Sequence, residues 1–147
     1  MYKHVLIAID DSDTSRKALD EAIAVARAHD ATLEIVHAID EHLVHFFKAN
    51  NTHELKHVLV AGSEDLLERA GSQARAAGIE ATTRLLRGHG QHADDLIAEV
   101  VKTARADLLV VGSHGRRGVR RLLLGSVAEN LVRKVSVSVL IVRGKAD

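Results

Sequence analysis

The chain has 147 residues, 20 basic and 20 acidic side chains, ten histidines, no cysteine and no proline. That length suits one domain, residues 1–147, with a core burying about 68–70% of the unfolded surface. Balanced charge gives no pull toward nucleic acid or anionic lipid, and the lack of cysteine excludes disulfides, thiol chemistry and zinc–thiolate sites. No apolar run approaches the ~20 residues of a membrane span, and the N-terminus enters an apolar run at once with no signal-peptide pattern, so a cytoplasmic protein is expected. Apolar residues make up 46%, but Tyr2, Phe46 and Phe47 are the only aromatics, so the core must be aliphatic.

Four short, β-branched-rich runs are almost unbroken: Val5–Ile9, Leu33–Val36, Leu108–Val111 and Val139–Val142. Continuous apolarity predicts strands covered on both faces, as in a parallel sheet. Ala81–Leu86 is more polar and predicts an edge strand. Helical spacing joins Leu19, Ala22, Ile23 and Ala26, then Leu55, Val58, Leu59, Leu66 and Ala70, then Leu96, Ile97, Val100 and Ala104. A further helix is expected over 127–134. Ser12 or Asp13 is a candidate cap for the first helix, and Gly78 a stop for the second. The least regular stretch, Asp40 to Asn51, follows the second strand. Strands and helices alternate throughout, which predicts an α/β domain: one open, doubly wound, Rossmann-like parallel sheet of five strands with about four helices.

In such sheets ligands bind beyond the carboxyl ends of the strands, where the winding reverses. A reversal placing strand 1 beside strand 4 brings Asp10 and Asp11 opposite Gly112-Ser113-His114-Gly115. After nine more residues come Gly125-Ser126, ahead of the fourth helix. Glycines allow close backbone approach, and the first amides of a helix are unpaired and electropositive, so a phosphate is the natural occupant. Arg116, Arg117, Arg120 and Arg121 could neutralise phosphates or simply face water. His114 is a candidate phosphate contact or proton carrier.

The first turn, Ile9-Asp10-Asp11-Ser12-Asp13, lacks the glycines of a dinucleotide fingerprint. Its carboxylates would repel a pyrophosphate and better suit a ribose, a base amino group or a divalent metal. Asp13 reads as helix-terminal charge and Asp10 as a ligand contact. His53-Glu54-Leu55-Lys56-His57 matches the zinc-protease pattern. Both histidines nevertheless fall opposite the apolar stripe of the second helix, and no clear third ligand follows. The pairs His89/His92 and His42/His45 read as surface residues flanking helices. Phe46 and Phe47 either pack beneath the irregular segment or form a lid or partner patch. Nucleophile-elbow and Walker motifs are absent, and no nucleophile, base and orienter assemble, so no catalytic residue is assigned.

Over nearly its whole length the chain resembles the universal stress protein family. Val5-Leu6-Ile7-Ala8-Ile9-Asp10-Asp11-Ser12 resembles the family's first strand and turn, and Val36-His37-Ala38 the end of its second strand. Asp107–Gly115 and Leu124–Asn130 carry its most specific signature. The spacing Gly112-x2-Gly115-x9-Gly125-Ser126 is similar to that of the ATP-binding branch. The resemblance implies strand order 3-2-1-4-5 and ATP between strands 1 and 4. It implies Asp10 on the ribose, Ala8 lining the site, and Ala38 and Val111 flanking the adenine. The Ala38 backbone would read the base edge, while Gly112, Gly115, Gly125, Ser126 and Val127 surround ribose and phosphates.

It also implies a homodimer through the last strand, Mg or Mn beside the phosphates in some members, and a stress-response role as a nucleotide-dependent switch or adaptor. A slow metal-dependent ATP hydrolase and a nucleotide-free dimeric scaffold are the alternatives. The family usually has proline where this chain has Ser138, so Val135–Leu140 is expected to be an uninterrupted strand-prone edge that alters the dimer geometry.

Overall fold

A computed structural model describes residues 1–40, 52–115 and 124–144. The strands are β1 (His4–Ala8), β2 (Thr32–Ala38), β3 (Ala81–Leu86), β4 (Leu108–Gly112) and β5 (Ser138–Val142). The helices are α1 (Asp13–His29), α2 (Thr52–Ala76), α3 (Ala93–Thr103) and α4 (Ser126–Lys134). All strand pairs are parallel, and the order is β3-β2-β1-β4-β5, as expected. The central strands carry apolar side chains on both faces because helices cover both. Val5, Ile7, Leu33, Ile35 and Val110 pack with α1 and α2, while Leu6, Val36, Leu109 and Val111 pack with α3 and α4. Each fully buried Leu or Ile contributes about 1.5–3 kcal/mol by leaving water. β3 is the polar edge: Thr82, Thr83 and Arg84 are exposed.

Helix ends follow local chemistry. Ser12 caps α1, its Oγ accepting from the Ser15 amide at 3.1 Å, so Ser12 rather than Asp13 is the cap. Beyond α2, the Ile79 and Gly78 amides donate back to the Ala74 and Arg75 carbonyls, with Gly78 at φ +82°. This six-to-one and five-to-two pairing requires a left-handed residue, which glycine adopts freely. The same closure ends α1 at Asp30 and α3 at Arg105, where φ is 53° and 54° without a glycine.

Two expectations fail. Val58 is 68% exposed, so it is not part of the α2 stripe. Among the described side chains of this 25-residue helix the buried positions are Ser63, Leu67, Ala70 and Ala74, with the predicted Leu66 partly buried against the same core. Nor is Val135–Leu140 one strand. α4 runs to Lys134, the Val135 amide donates to the Leu131 carbonyl, and β5 begins only at Ser138. Val135 and Val137 instead pack against the α3–α4 side of the core.

One charge is buried within the sheet. Glu34 of β2 is 4% exposed and takes Arg84 Nη2 from β3 at 2.8 Å and His4 Nε2 from β1 at 3.1 Å. A buried carboxylate is tolerated only when paired in this way.

Candidate functional site

β1 ends at Ala8, and the chain then turns over the sheet toward α1. Side chains hold that turn. The Asp10 amide donates to Ser15 Oγ at 2.8 Å, and the Ser12 amide donates to Asp10 Oδ1 at 2.9 Å. The second contact is an Asx turn, in which the carboxylate imitates a backbone carbonyl. Ser15 is buried, at 4% exposure, on the first turn of α1. One further contact comes from β2: His37 Nδ1 lies 2.7 Å from the Ile9 carbonyl. A carbonyl only accepts, so Nδ1 carries the proton.

Neighbouring acids are answered locally. Arg16 pairs with Asp11 at 3.4 Å and with Asp13. Hydrogen bonding to Asp13, with the charges of Asp13, Asp11 and Asp10, raises the Arg16 guanidinium above its ordinary value. Asp10 is thus the member of the acidic turn directed across the sheet. A Cβ built on Gly115 would sit 2.7 Å from Asp10 Oδ2, so the two loops meet there.

The second wall begins at the end of β4. Ala8 pairs in register with Val111, which is buried, and Gly112 is the last residue of the strand. The Ser113 amide donates to the Val142 carbonyl of β5, and its own carbonyl accepts from the Gly125 amide at 2.7 Å. That last bond joins the exit of β4 to the start of α4. Gly125 has an ordinary extended conformation, φ −60° and ψ 152°, so no left-handed backbone demands glycine there. Close approach does: a Cβ would lie 2.9 Å from the Ser113 carbonyl oxygen and 3.5 Å from His114 Cα. Its missing side chain is therefore required by the protein's own backbone, a reason that spacing alone did not reveal.

Gly125 is the N-cap of α4 and offers no side-chain acceptor. The first backbone bond of this helix start is Glu129 to the Gly125 carbonyl, which leaves the amides of Ser126, Val127 and Ala128 without helical partners. Ser126 and Val127 are exposed. His114 is half-buried; its Nδ1 is 2.9 Å from Ser113 Oγ, and its Nε2 is shielded from solvent without a partner among the described residues.

Ala8, Asp10, Ala38, Val111, Gly112, His114, Gly115, Gly125, Ser126 and Val127 thus all fall at the carboxyl ends of β1, β2 and β4 or at the start of α4. Ser15 was not anticipated as part of this region, and His37 and Ser113, though within the quoted segments, were given no role there. Their signals were a serine in the first turn of a helix and a histidine interrupting an apolar strand at its end.

Arg116, Arg117, Arg120, Arg121, Phe46, Phe47, His42 and His45 lie outside the described residues, as does the side chain of His53. His57, Glu64, Glu68, His89 and His92 are exposed. Among the described residues no three histidine or acidic side chains converge as a metal site. With Asp11 and Asp13 committed to Arg16, the donor set here does not build a cation cage of its own. Among the described residues no helix is long and apolar enough to cross a membrane.

The sequence model of the Universal stress protein family matches residues 1–143. A universal stress protein of Methanocaldococcus jannaschii is 31% identical over 144 residues, spanning 97% of this chain and 83% of the relative. The hypothetical protein MJ0577 superimposes with a TM-score of 0.89 at 26% identity, covering 100% of this chain and 99% of its own. A universal stress protein solved in complex with cAMP aligns with a TM-score of 0.69 at 30% identity, covering 98% of each chain. The matched sequence, the strand order and the glycine-bearing end of β4 lead to one conclusion: this chain belongs to the universal stress protein family.

Proposed function

We propose that this chain is a nucleotide-binding domain spanning residues 1–147 that holds ATP at the carboxyl ends of β1 and β4 and acts as a nucleotide-dependent switch or adaptor in stress response. The observation that carries the reading is the meeting of Asp10 with Gly115 beside the start of α4, whose first-turn amides have no helical partners. A carboxylate accepts from ribose hydroxyls, and helix-start amides with their dipole favour phosphate oxygens. The cAMP complex of a family member supports a nucleotide as the ligand class.

In this reading Asp10 contacts the ribose, and Ala8, Ala38 and Val111 bound the base. Gly112, His114, Gly115, Gly125, Ser126 and Val127 surround sugar and phosphates. A Mg or Mn ion would be held chiefly by the phosphates, since the protein supplies few ligands. ATP would order the segment between Gly112 and Gly125 and so change the surface offered to a partner. Two copies would pair through β5, the edge strand opened by Ser138.

The test is to denature the purified protein, identify any released nucleotide, and titrate the nucleotide-free protein with ATP, ADP and AMP. Asp10→Ala should weaken ATP about tenfold or more, the loss of about 1.4 kcal/mol for a charge-assisted contact. No released nucleotide, together with no heat of binding and no thermal shift at millimolar ATP, would sink the proposal. Equal hydrogen exchange across residues 112–126 with and without ATP would remove the switch while leaving the binding.

A further inference from the structure

The ladder between β1 and β2 follows a fixed offset. At its lower end the Thr32 amide donates to the Lys3 carbonyl at 3.0 Å, and at its upper end the Ile9 amide donates to the Val36 carbonyl at 2.9 Å. The offset of the first bond makes Ala38 to Ile9 the next rung. That rung does not form between these described residues. The Ile9 carbonyl is taken instead by the His37 imidazole, whose Nδ1 donates at 2.7 Å. On its other edge β2 keeps its bonds to β3, the Ile39 amide donating to the Leu86 carbonyl at 2.9 Å. The Ala38 amide therefore faces the β1 side, at the strand ends, where the carbonyl expected to accept from it takes the imidazole N–H instead.

The other side of β1 is treated alike. The Asp10 amide lies where the β1–β4 ladder would continue, yet it donates to Ser15 Oγ rather than to a carbonyl of β4. Two side chains thus stop the sheet at its midpoint, one on each side of the point where the winding reverses. Among the described residues the Ala38 amide has no backbone acceptor on the β1 side, which makes it available to a ligand at the strand ends.

We propose that His37 is a positioning residue for base recognition: by occupying the Ile9 carbonyl it releases the Ala38 main-chain N–H to donate to the edge of a nucleobase. The proposal rests on the reading that the site takes an adenine nucleotide. His37 touches the ligand nowhere in this scheme; it acts through Ile9 and Ala38. Adenine presents one ring-nitrogen acceptor, N1, and an amino donor on its Watson–Crick edge. Guanine presents a protonated ring nitrogen and a carbonyl there. A fixed N–H opposite the N1 position therefore favours adenine, because the protonated N1 of guanine would set donor against donor there.

Binding of ATP and of GTP is measured by calorimetry on the nucleotide-free wild type, on His37→Leu and on His37→Asn, with thermal melting of each. The Asn side-chain amide places an N–H where Nδ1 sits. His37→Leu is expected to cut the ATP-over-GTP preference about tenfold, and His37→Asn to restore most of it. If wild type binds neither nucleotide, the reading of the site fails. If wild type prefers ATP and His37→Leu keeps the same ratio, this inference fails while the reading stands. A loss of ATP and GTP affinity in equal proportion also overturns it, since that is what a merely structural role predicts. Should His37→Leu not fold, the wild type alone decides. The Ala38 amide must exchange faster than those of Ile35 and Val36 and must become protected by ATP. An amide already protected without ATP refutes the proposal.

Discussion

Replacing Gly125 with alanine tests the account of the glycine loop most directly. The added Cβ would stand 2.9 Å from the Ser113 carbonyl oxygen, a backbone atom that cannot rotate away. Relief requires moving α4 away from the end of β4. That movement lengthens the 2.7 Å bond from the Gly125 amide to the same oxygen. A lost backbone hydrogen bond costs about 0.5–1.5 kcal/mol, and forced overpacking about 1–3 kcal/mol. Gly125→Ala should therefore destabilise the protein by about 2 kcal/mol, a fall in melting temperature of about 6 °C for a chain of this size. Gly62→Ala is the control. Gly62 lies in the exposed part of α2, and a Cβ there meets nothing within 4 Å. Removing an interior helix glycine should raise stability by about 0.5–1 kcal/mol. The assay is thermal and urea unfolding of the three proteins, with ATP titration of each. A Gly125→Ala protein that melts within a degree of wild type and binds ATP equally would refute the claim that this glycine serves the Ser113 contact.

Further substitutions probe other parts of the fold. Arg105 closes α3 at φ 54°, so Arg105→Gly should stabilise by about 1 kcal/mol, read as a higher urea midpoint. Arg84→Ala removes one partner of buried Glu34 and should destabilise by about 1–3 kcal/mol, whereas the double change Glu34→Met with Arg84→Met should recover most of that loss; equal losses would contradict the account. Asp95 at the start of α3 is held below its ordinary value, first by the hydrogen bond from Lys134 and then by that residue's charge. A depressed folded value means the stability is present above about pH 3.9 and is lost as pH falls through the lower folded value. The urea midpoint of Asp95→Asn should accordingly lie below wild type at pH 6 and converge with it only as the pH falls through the lowered folded value. Ser15→Ala should leave the Asp10 amide without its acceptor, lower stability by about 1–3 kcal/mol and weaken ATP several-fold, because Ser15 Oγ is the buried acceptor that holds it. Unchanged affinity would release Ser15 from that role.

Where apolar periodicity is unbroken the sequence alone placed the elements: four strands read as continuous aliphatic runs because helices cover both faces, and Ala81–Leu86 read as an edge because its polar residues face water. The alternation of strand and helix, with the preference for right-handed crossovers, led to a sheet whose winding reverses beside β1. The glycine spacing marks the end of β4 in the sequence alone. What the pattern could not decide depends on distances between residues remote in sequence. Val58 fits the helical stripe of α2 but is exposed, and periodicity carries no information about where a neighbouring element stops. Gly125 reads as a ligand-approach glycine, while the tertiary structure places it against the Ser113 carbonyl. His37 reads as a polar break in a strand. Only the strand register, which sets Ile9 beside it and denies Ala38 its rung, gives it a physical task. Local sequence encodes which side chains face the core. Which backbone groups are left over for a ligand is settled when the strands are laid side by side.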